Sequence, residues 1–449
     1  RFHRDAGAAD QSLRRGRVTT TPAPDRPSDG VTQTRALVLH PDIPADRKGR
    51  APEPALAEAV ALARALPGLT VVGEEIVRLK KPRPGLLFGD GKIAELAEKV
   101  SADEVGLVLI DGPVTPVQQR NLEKKLGTKL LDRTGLILEI FADRAQTREG
   151  VLQVDLAALS YQRTRLVRAW THLERQRGGL GFVGGPGETQ IEADRRAIDE
   201  AVGRIKRQLA KVVKTRSLHR QARKKVPYPI VALVGYTNAG KSTLFNRLTG
   251  AEVMAKDMLF ATLDPTMRAV KLPDGSDVIL SDTVGFISDL PTHLVAAFRA
   301  TLEEVRDADL ILHVRDISHP ETEEQAADVR TILADLGIDA ATPLIEVWNK
   351  TDLLPPAEAE AMARIAERRE DVFALSAWTG EGMGPLLAAT SRTLSPPRSH
   401  ATLTLPHSDG RRRAWLFDQG IVETEERGEE TTTLTVHWTA RQERAFAAL

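Results

Sequence analysis

The sequence predicts an α/β protein of four folded parts: an N-terminal parallel α/β domain, an antiparallel helical hairpin, a second α/β domain with a mainly parallel sheet, and a small C-terminal α+β domain. Three observations carry this. Short aliphatic runs alternate with helical patterns over 34–145 and again after residue 226, as parallel βαβ units covered by helices require. Between them, apolar residues step by three and four along two stretches joined by glycines. At 229–248 a continuous apolar strand runs into a glycine-rich turn and a helix start.

Composition sets the limits. A chain of 449 residues is too long for one core, and about one domain per 150 residues suggests roughly three. The 62 basic and 62 acidic residues balance, so any contact with nucleic acid must be local. The absence of cysteine excludes disulfides and thiol chemistry and fits a reducing compartment. No apolar run approaches the ~18 residues of a membrane span, and no signal peptide is visible. The expected location is the cytoplasm, with partial membrane association as the alternative. A chain that begins on Arg1 reads as trimmed at its N-terminus.

In chain order, residues 1–33 carry hardly an aliphatic cluster and are expected to form a disordered tail. The first domain, 34–149, reads as strand 35–41, helix 53–68, strand 69–79, helix 92–100, strand 105–111 and helix 115–127. In the hairpin, 150–225, Leu152, Leu156, Leu159, Leu166, Trp170 and Leu173 form one seam, with Arg163 its one polar interruption. Ile191, Ile198, Val202, Ile205, Leu209 and Val212 form the other. Thr189 and Glu192 fit a capping box, so "GGLGFVGGPG" becomes the tip. Arms of about 23–30 residues would project that tip roughly 35–45 Å. The prolines of "VPYPI" (226–230) end the hairpin and open the second α/β domain, 226–395. "RRRAWLFDQG" and "TTTLTVHWT" mark the α+β domain, 396–449.

The chemistry concentrates in the second α/β domain. "GYTNAGKS" matches G-x-x-x-x-G-K-S with Gly235, Tyr236, Thr237, Asn238, Ala239, Gly240, Lys241 and Ser242, in the strand–loop–helix context that the motif requires. Its backbone N–H groups and the helix N-terminus suit phosphates, with Lys241 on the β- and γ-phosphates and Ser242 on Mg²⁺. "DTVG" (Asp282, Thr283, Val284, Gly285) ends another strand, placing Asp282 to hold Mg²⁺ through water and the Gly285 N–H to meet the γ-phosphate. "NKTD" (Asn349, Lys350, Thr351, Asp352) supplies a carboxylate that can accept the N1–H and exocyclic amine of guanine and would repel the acceptor at adenine N1. Ser376, Ala377 and Trp378 follow, with the Ala377 backbone suited to guanine O6. Each tetrapeptide alone could be an ordinary turn; in this order they specify GTP. "FATLD" (Phe260, Ala261, Thr262, Leu263, Asp264) lies where such enzymes keep a threonine that senses the γ-phosphate, and both Thr262 and Thr266 qualify.

Together these motifs resemble the HflX GTPases, relatives of Obg and Era, and the resemblance covers roughly residues 70–395. "DRTGLILEIFADRAQTREGVLQVDLA" (132–157) and "GGPGETQIEADRR" (184–196), which lie outside any GTPase core, resemble the same family. The resemblance implies a P-loop GTPase domain, with Thr262 as the Mg²⁺ ligand of the GTP state and Lys241, Thr262 and Gly285 as the catalytic set. It implies docking of the chain, as a monomer, on the large (50S) ribosomal subunit and splitting of stalled or stress-inactivated ribosomes. The alternatives are an assembly switch that binds the subunit without splitting anything, and an ATP-using P-loop enzyme, against which "NKTD" speaks. Gly178, Gly179, Gly184 and Gly185 would let the tip backbone approach ribosomal RNA near the peptidyl-transferase region, although glycine stands where the family's tip usually carries an arginine; the competing reading is a plain hairpin turn.

One further RNA argument rests on charge alone. Arg204, Lys206, Arg207, Lys211, Lys214, Arg216, Arg220, Arg223, Lys224 and Lys225 are ten basic residues in a run without an acid, which reads as an RNA-backbone surface or as an ordinary basic helix face. Phe286 follows Gly285 where many GTPases place a water-orienting glutamine, so turnover should be slow alone and stimulated by the ribosome. Asn238 stands where some relatives help bind a K⁺ that acts like an arginine finger; a turn-forming role competes.

Overall fold

The computed structural model describes residues 33–44, 51–176, 190–223, 228–251, 259–260, 262–263, 266–288, 299–338, 342–394 and 398–447. The first domain runs β1 (Thr34–Asp42), α1 (Pro52–Ala65), β2 (Leu69–Arg78), α2 (Asp90–Ala102), β3 (Leu107–Ile110), α3 (Pro116–Leu126), β4 (Lys129–Asp132) and α4 (Arg133–Arg144). Its four strands are all parallel, in the order β2-β1-β3-β4. Ala36–Leu39 and Val108–Ile110 are almost wholly buried because helices cover both faces, which is why these strands read as unbroken aliphatic runs. Helix α3 starts on a complete capping box between Thr115 and Gln118 and stops at Gly127, whose φ of 70° closes the last turn. Helix α4 begins directly after β4, capped by Asp132, which accepts the Gly135 N–H at 2.8 Å. Neither β4 nor α4 was assigned by the sequence pattern, and α1 ends at Ala65 rather than at residue 68.

Helices α5 (Arg148–Gln176) and α6 (Gln190–Arg223) have 29 and 34 residues, so α6 exceeds the expected arm. At 1.5 Å per residue it is about 50 Å long. Arg163 meets Asp199 at 2.7 Å, and these positions lie at similar distances either side of the 177–189 connection, so the helices run antiparallel. The polar interruption of the first seam is thus one half of a cross-hairpin ion pair. At its base, α5 packs Val154 and Ala157 into the main core, and Tyr161 (2.6 Å) and Arg165 (3.0 Å) grip the two oxygens of Asp132. The glycine tip, the Thr189–Glu192 cap, Lys224 and Lys225, and residues 1–32 lie outside what is described, as do the side chains of Leu166, Trp170 and Leu173.

The second sheet is built from β5 (Ile230–Gly235), α7 (Lys241–Thr249), β6 (Thr266–Lys271), β7 (Asp277–Asp282), α8 (Arg299–Arg306), β8 (Leu310–Asp316), α9 (Thr322–Asp335), β9 (Leu344–Asn349), α10 (Pro356–Glu367), β10 (Val372–Ala374) and α11 (Met383–Leu394). Its order is β10-β9-β8-β5-β7-β6, with β6 alone antiparallel. The chain winds outward from β5 in both directions, so a crevice opens at the carboxyl ends of β5 and β8. The last part runs β11 (Arg398–Pro406), α12 (Gly410–Asp418), β12 (Val422–Arg427), β13 (Thr431–Thr439) and α13 (Ala440–Ala447), an antiparallel sheet in the order β11-β13-β12.

The two α/β domains share one apolar core. Ile137 and Phe141 of α4 join Tyr236, Phe260, Phe286 and Ile287 in a single buried cluster. Phe141 and Phe260 meet edge to face at 4.8 Å. Among the described residues no helix is long and apolar enough to cross a membrane.

Candidate nucleotide site

A cavity of about 590 Å³ occupies the crevice beyond β5 and β8. Buried strand β5 leads into the glycine-rich turn, which passes directly into α7. Gly240 sits at φ 92°, and a Cβ there would lie 2.2 Å from the Asn349 side-chain nitrogen, so only glycine fits. A Cβ on Gly285 would lie 2.8 Å from the Thr237 backbone and 3.1 Å from Lys241 Nζ. These glycines bring the loop, the DTVG turn and the NKTD strand end within contact of one another.

Lys241 is buried, and its ammonium donates to the carbonyls of Gly235 (3.2 Å) and Tyr236 (2.8 Å). Burial pushes its pKa down to about 8, with Lys350 adding to the drop and Asp282 opposing it. Three oxygens converge in front of it. Ser242 Oγ and Thr262 Oγ1 are 2.9 Å apart, and each donates to Asp282 Oδ2, at 2.7 and 2.8 Å. Asp282 Oδ1 is buried without a hydrogen-bond partner, and burial raises the carboxyl's pKa against the pull of Ser242, Lys241 and Thr262. An all-oxygen set around an unsatisfied carboxylate fits Mg²⁺. Of the two candidate threonines, Thr262 stands in this cluster. Thr266 opens β6 and pairs in register with Asp282.

On the opposite side, Asn349 ties the loop to the base-recognition segment. Its amide donates to the Ala239 carbonyl at 2.8 Å and its oxygen accepts the Ala377 N–H at 2.9 Å. A guanine O6 therefore meets an Ala377 N–H already in use. Lys350, at φ 68°, reaches back to Asp316 at 2.8 Å, and Asp352 stands exposed at the cavity rim. Leu353 (63% exposed) and Trp378 (77%) also line the cavity, apolar surface that a bound base would cover.

The sequence-predicted residues do not all face the cavity. Leu263 and Val284 are packed into the core beneath it, and Ser376 is wholly buried, its hydroxyl accepting the Thr379 N–H. Ala261 and Asp264 lie outside the described residues. Tyr236 sends its side chain out of the cavity into the first domain, because its ring belongs to the shared core. Phe286 is likewise buried, its N–H donating to the Gly235 carbonyl at 3.1 Å, so its ring faces protein rather than a phosphate. Thr243, Leu353 and Asp316 escaped the sequence reading; the signal for Asp316 was its position at the end of the strand beside β5.

A buried polar cluster joins the site to the first domain. The Tyr236 hydroxyl donates to Glu58 and accepts the Ser288 N–H at 2.8 Å. Ser288 Oγ donates to Glu58 at 2.8 Å, and Arg133 bonds Glu58 and the Ser288 carbonyl (3.1 Å). Asp111 backs Arg133 at 2.6 Å. Burial opposes ionisation of Asp111, yet Arg133 and His40 hold its carboxyl below its ordinary value. Glu58→Ala would leave a buried guanidinium short of a partner, which costs about 3 kcal/mol or more. The expected result is a lower melting temperature together with altered GTP affinity, read by calorimetry and nucleotide titration. Unchanged values of both would show that the cluster holds nothing.

Four family models match the chain: GTP-binding GTPase N-terminal at 53–142, GTP-binding GTPase Middle Region at 144–223, 50S ribosome-binding GTPase at 230–350, and HflX C-terminal domain at 361–447. The last begins before β10, which hydrogen-bonds into the second sheet. The chain is 53% identical over 373 residues to the GTPase HflX of Magnetococcus marinus, covering 82% of this chain and 84% of that protein. It is 48% identical over 347 residues to the GTPase HflX of Escherichia coli, covering 77% and 80%. Among solved structures, a GTP-binding protein from Sulfolobus solfataricus in complex with GDP superposes with a TM-score of 0.44 at 21% identity, over 80% of this chain and 98% of that one.

Proposed function

This chain belongs to the HflX family of GTPases, and we propose that it docks on the large ribosomal subunit in its GTP state and splits stalled or stress-inactivated ribosomes. The observation that carries the ribosomal reading is α6. Arg204, Lys206, Arg207, Lys211 and Lys214 are all exposed along one 34-residue helix of the hairpin. Its less exposed positions, Ile205, Leu209 and Val212, are the seam. Arg216, Arg220, Arg223, Lys224 and Lys225 would continue the basic surface, and Gly178, Gly179, Gly184 and Gly185 would present backbone to ribosomal RNA. The phrase "50S ribosome-binding GTPase", which describes the model matching 230–350, supports the same partner.

The protein is a GTPase, and its residues divide the work. Lys241 would hold the β- and γ-phosphates, the Gly285 N–H would meet the γ-phosphate, and Asp352 would read guanine. Ser242 and Thr262 would hold Mg²⁺, with Asp282 behind them through water; when bound, that ion neutralises charge on the transferring phosphoryl group. Phe286, which stands where many GTPases carry a water-orienting glutamine, is buried and has no group that could hold an attacking water. Slow intrinsic turnover and strong stimulation by the large subunit follow.

The test is sedimentation of 70S ribosomes after incubation with the protein and GTP, for wild type and for a chain in which residues 178–187 are replaced by a short turn. Wild type should convert 70S particles to subunits, and the shortened chain should keep GTP affinity and partial subunit binding while losing splitting. Binding to 50S without splitting by wild type would establish the assembly-switch reading instead. Normal splitting by the shortened chain would reduce the tip to a turn.

Asn238 is exposed at the cavity with φ 58°, a conformation that asparagine tolerates better than most residues, so the geometry accounts for it as a turn residue. Its role with K⁺ rests on the rate: subunit-stimulated hydrolysis should be faster in potassium than in sodium, and Asn238→Ala should erase the difference. Equal wild-type rates in both salts would remove K⁺ from the mechanism.

A further inference from the structure

The outward face of the C-terminal sheet carries a side-chain cluster that GTP chemistry does not use. On β11 and β13 the inward positions, Leu405, Leu434, Val436 and Trp438, form the small core. The alternate positions facing outward are His400, Thr402 and Thr404 on one strand and Thr433, Thr435 and His437 on the other. His400 and His437 are direct partners in the antiparallel register. Their rings stack with centroids 4.3 Å apart and planes 3° from parallel.

The third member comes from β12. The register of β12 against β13 slips by one residue between Val422 and Thr424, and the extra residue is Glu423. A bulge of this kind re-aims a side chain. Here the carboxylate spans both rings, with one oxygen 3.2 Å from His400 Nδ1 and the other 3.6 Å from His437 Nδ1. All three ligand atoms lie within 4.8 Å of one another.

We propose that His400, Glu423 and His437 form a site for a divalent transition-metal ion, with zinc the best match. Two imidazole nitrogens and one carboxylate oxygen are a donor set that zinc takes, whereas Mg²⁺ and Ca²⁺ demand oxygen. Tetrahedral bonds of 2.0–2.1 Å place neighbouring ligand atoms about 3.3–3.4 Å apart. The two nitrogen–oxygen separations, 3.2 and 3.6 Å to different oxygens of Glu423, are close to that spacing. Since an imidazole's lone pair lies in its ring plane, binding turns one of the two parallel rings so that both nitrogens meet the ion. The side chains are 65%, 43% and 36% exposed, so an ion can enter from solvent and its fourth position remains open to water. Since the strand order is β11-β13-β12, one ion would bridge both edge strands across the middle one. Its effect would be to fasten the sheet.

The test uses the untagged full-length chain, stripped with a chelator and then saturated with Mg²⁺ and GDP so that the nucleotide site is filled. Zn²⁺ is titrated calorimetrically, and Co²⁺ replaces it to report tetrahedral geometry through its visible absorption. Wild type should bind one equivalent and melt at a higher temperature with zinc. His400→Ala, His437→Ala and Glu423→Gln should each weaken binding by more than about tenfold, the least that loss of even an outer-shell partner costs, while GTP turnover stays normal and an unchanged metal-free circular dichroism spectrum shows that the sheet still folds. A wild type that binds no zinc would overturn the proposal, and so would undiminished binding by the double variant His400→Ala/His437→Ala.

Discussion

Lys241→Ala is expected to reduce kcat/KM for GTP by about 10²–10³-fold or more, the loss that follows removal of one preorganised donor from developing charge. The effect should exceed that of an ordinary surface lysine because this ammonium is buried and already aimed, held by the carbonyls of Gly235 and Tyr236. Single-turnover phosphate release measures it, and near-normal release would remove Lys241 from the phosphate site. Burial also gives the site a pH signature. The unfolded lysine keeps its proton up to its ordinary 10.5, whereas in the folded, empty site it loses it at about 8. The unfolded chain therefore holds more protons between those values, and the stability of the ligand-free protein rises with pH across that window. Phosphates would pull the proton back. Nucleotide binding just above pH 8 should thus take up a proton, seen as a binding enthalpy that varies with the ionisation enthalpy of the buffer.

Asp352→Asn is expected to weaken GTP by about 10–100-fold, as loss of charge-assisted hydrogen bonds worth roughly 1.5–3 kcal/mol implies. It should also create affinity for xanthosine triphosphate, whose exocyclic oxygen matches the new amide donor. The carboxylate projects from the middle of the 3₁₀ turn Thr351–Leu353 and is exposed at the cavity rim, so the substitution disturbs no packing. Competition binding with both nucleotides reads the change. A variant that loses GTP without gaining xanthosine triphosphate would show that Asp352 shapes the pocket but does not read the base.

What could be read beforehand followed the strength of local signals. Buried parallel strands such as β5 and β8 announce themselves as aliphatic runs, and the GKS, DTVG and NKTD segments are legible because phosphate and guanine chemistry fix their spacing. Strand β4 was missed because four residues, KLLD, are too few to show any period. Helix α4 was missed because it begins without a loop, on a cap residue that is also the last residue of the strand. The direction of the Tyr236 side chain was hidden for a different reason: adjacency in a motif says nothing of where a side chain turns. What draws it away is Glu58, some 178 positions earlier in the chain, and no local pattern encodes that pairing. Local pattern left both Thr262 and Thr266 open and only the family resemblance favoured Thr262, because which hydroxyl reaches Asp282 is again long-range information.

The Glu58–Arg133–Tyr236–Ser288 cluster has a thermodynamic consequence that does not depend on the size of any motion. Tyr236 belongs to the loop that carries Lys241, and Ser288 lies three residues beyond Gly285. If GTP and GDP place those two residues differently, they weigh differently on how the first domain sits. Binding free energies are state functions, so the influence runs both ways with equal size. Any partner that prefers one setting of the first domain must shift the GTP/GDP affinity ratio by the same factor by which the nucleotide shifts that partner's affinity. A ligand on the far side of β1–β4 could thus select the nucleotide without ever touching it.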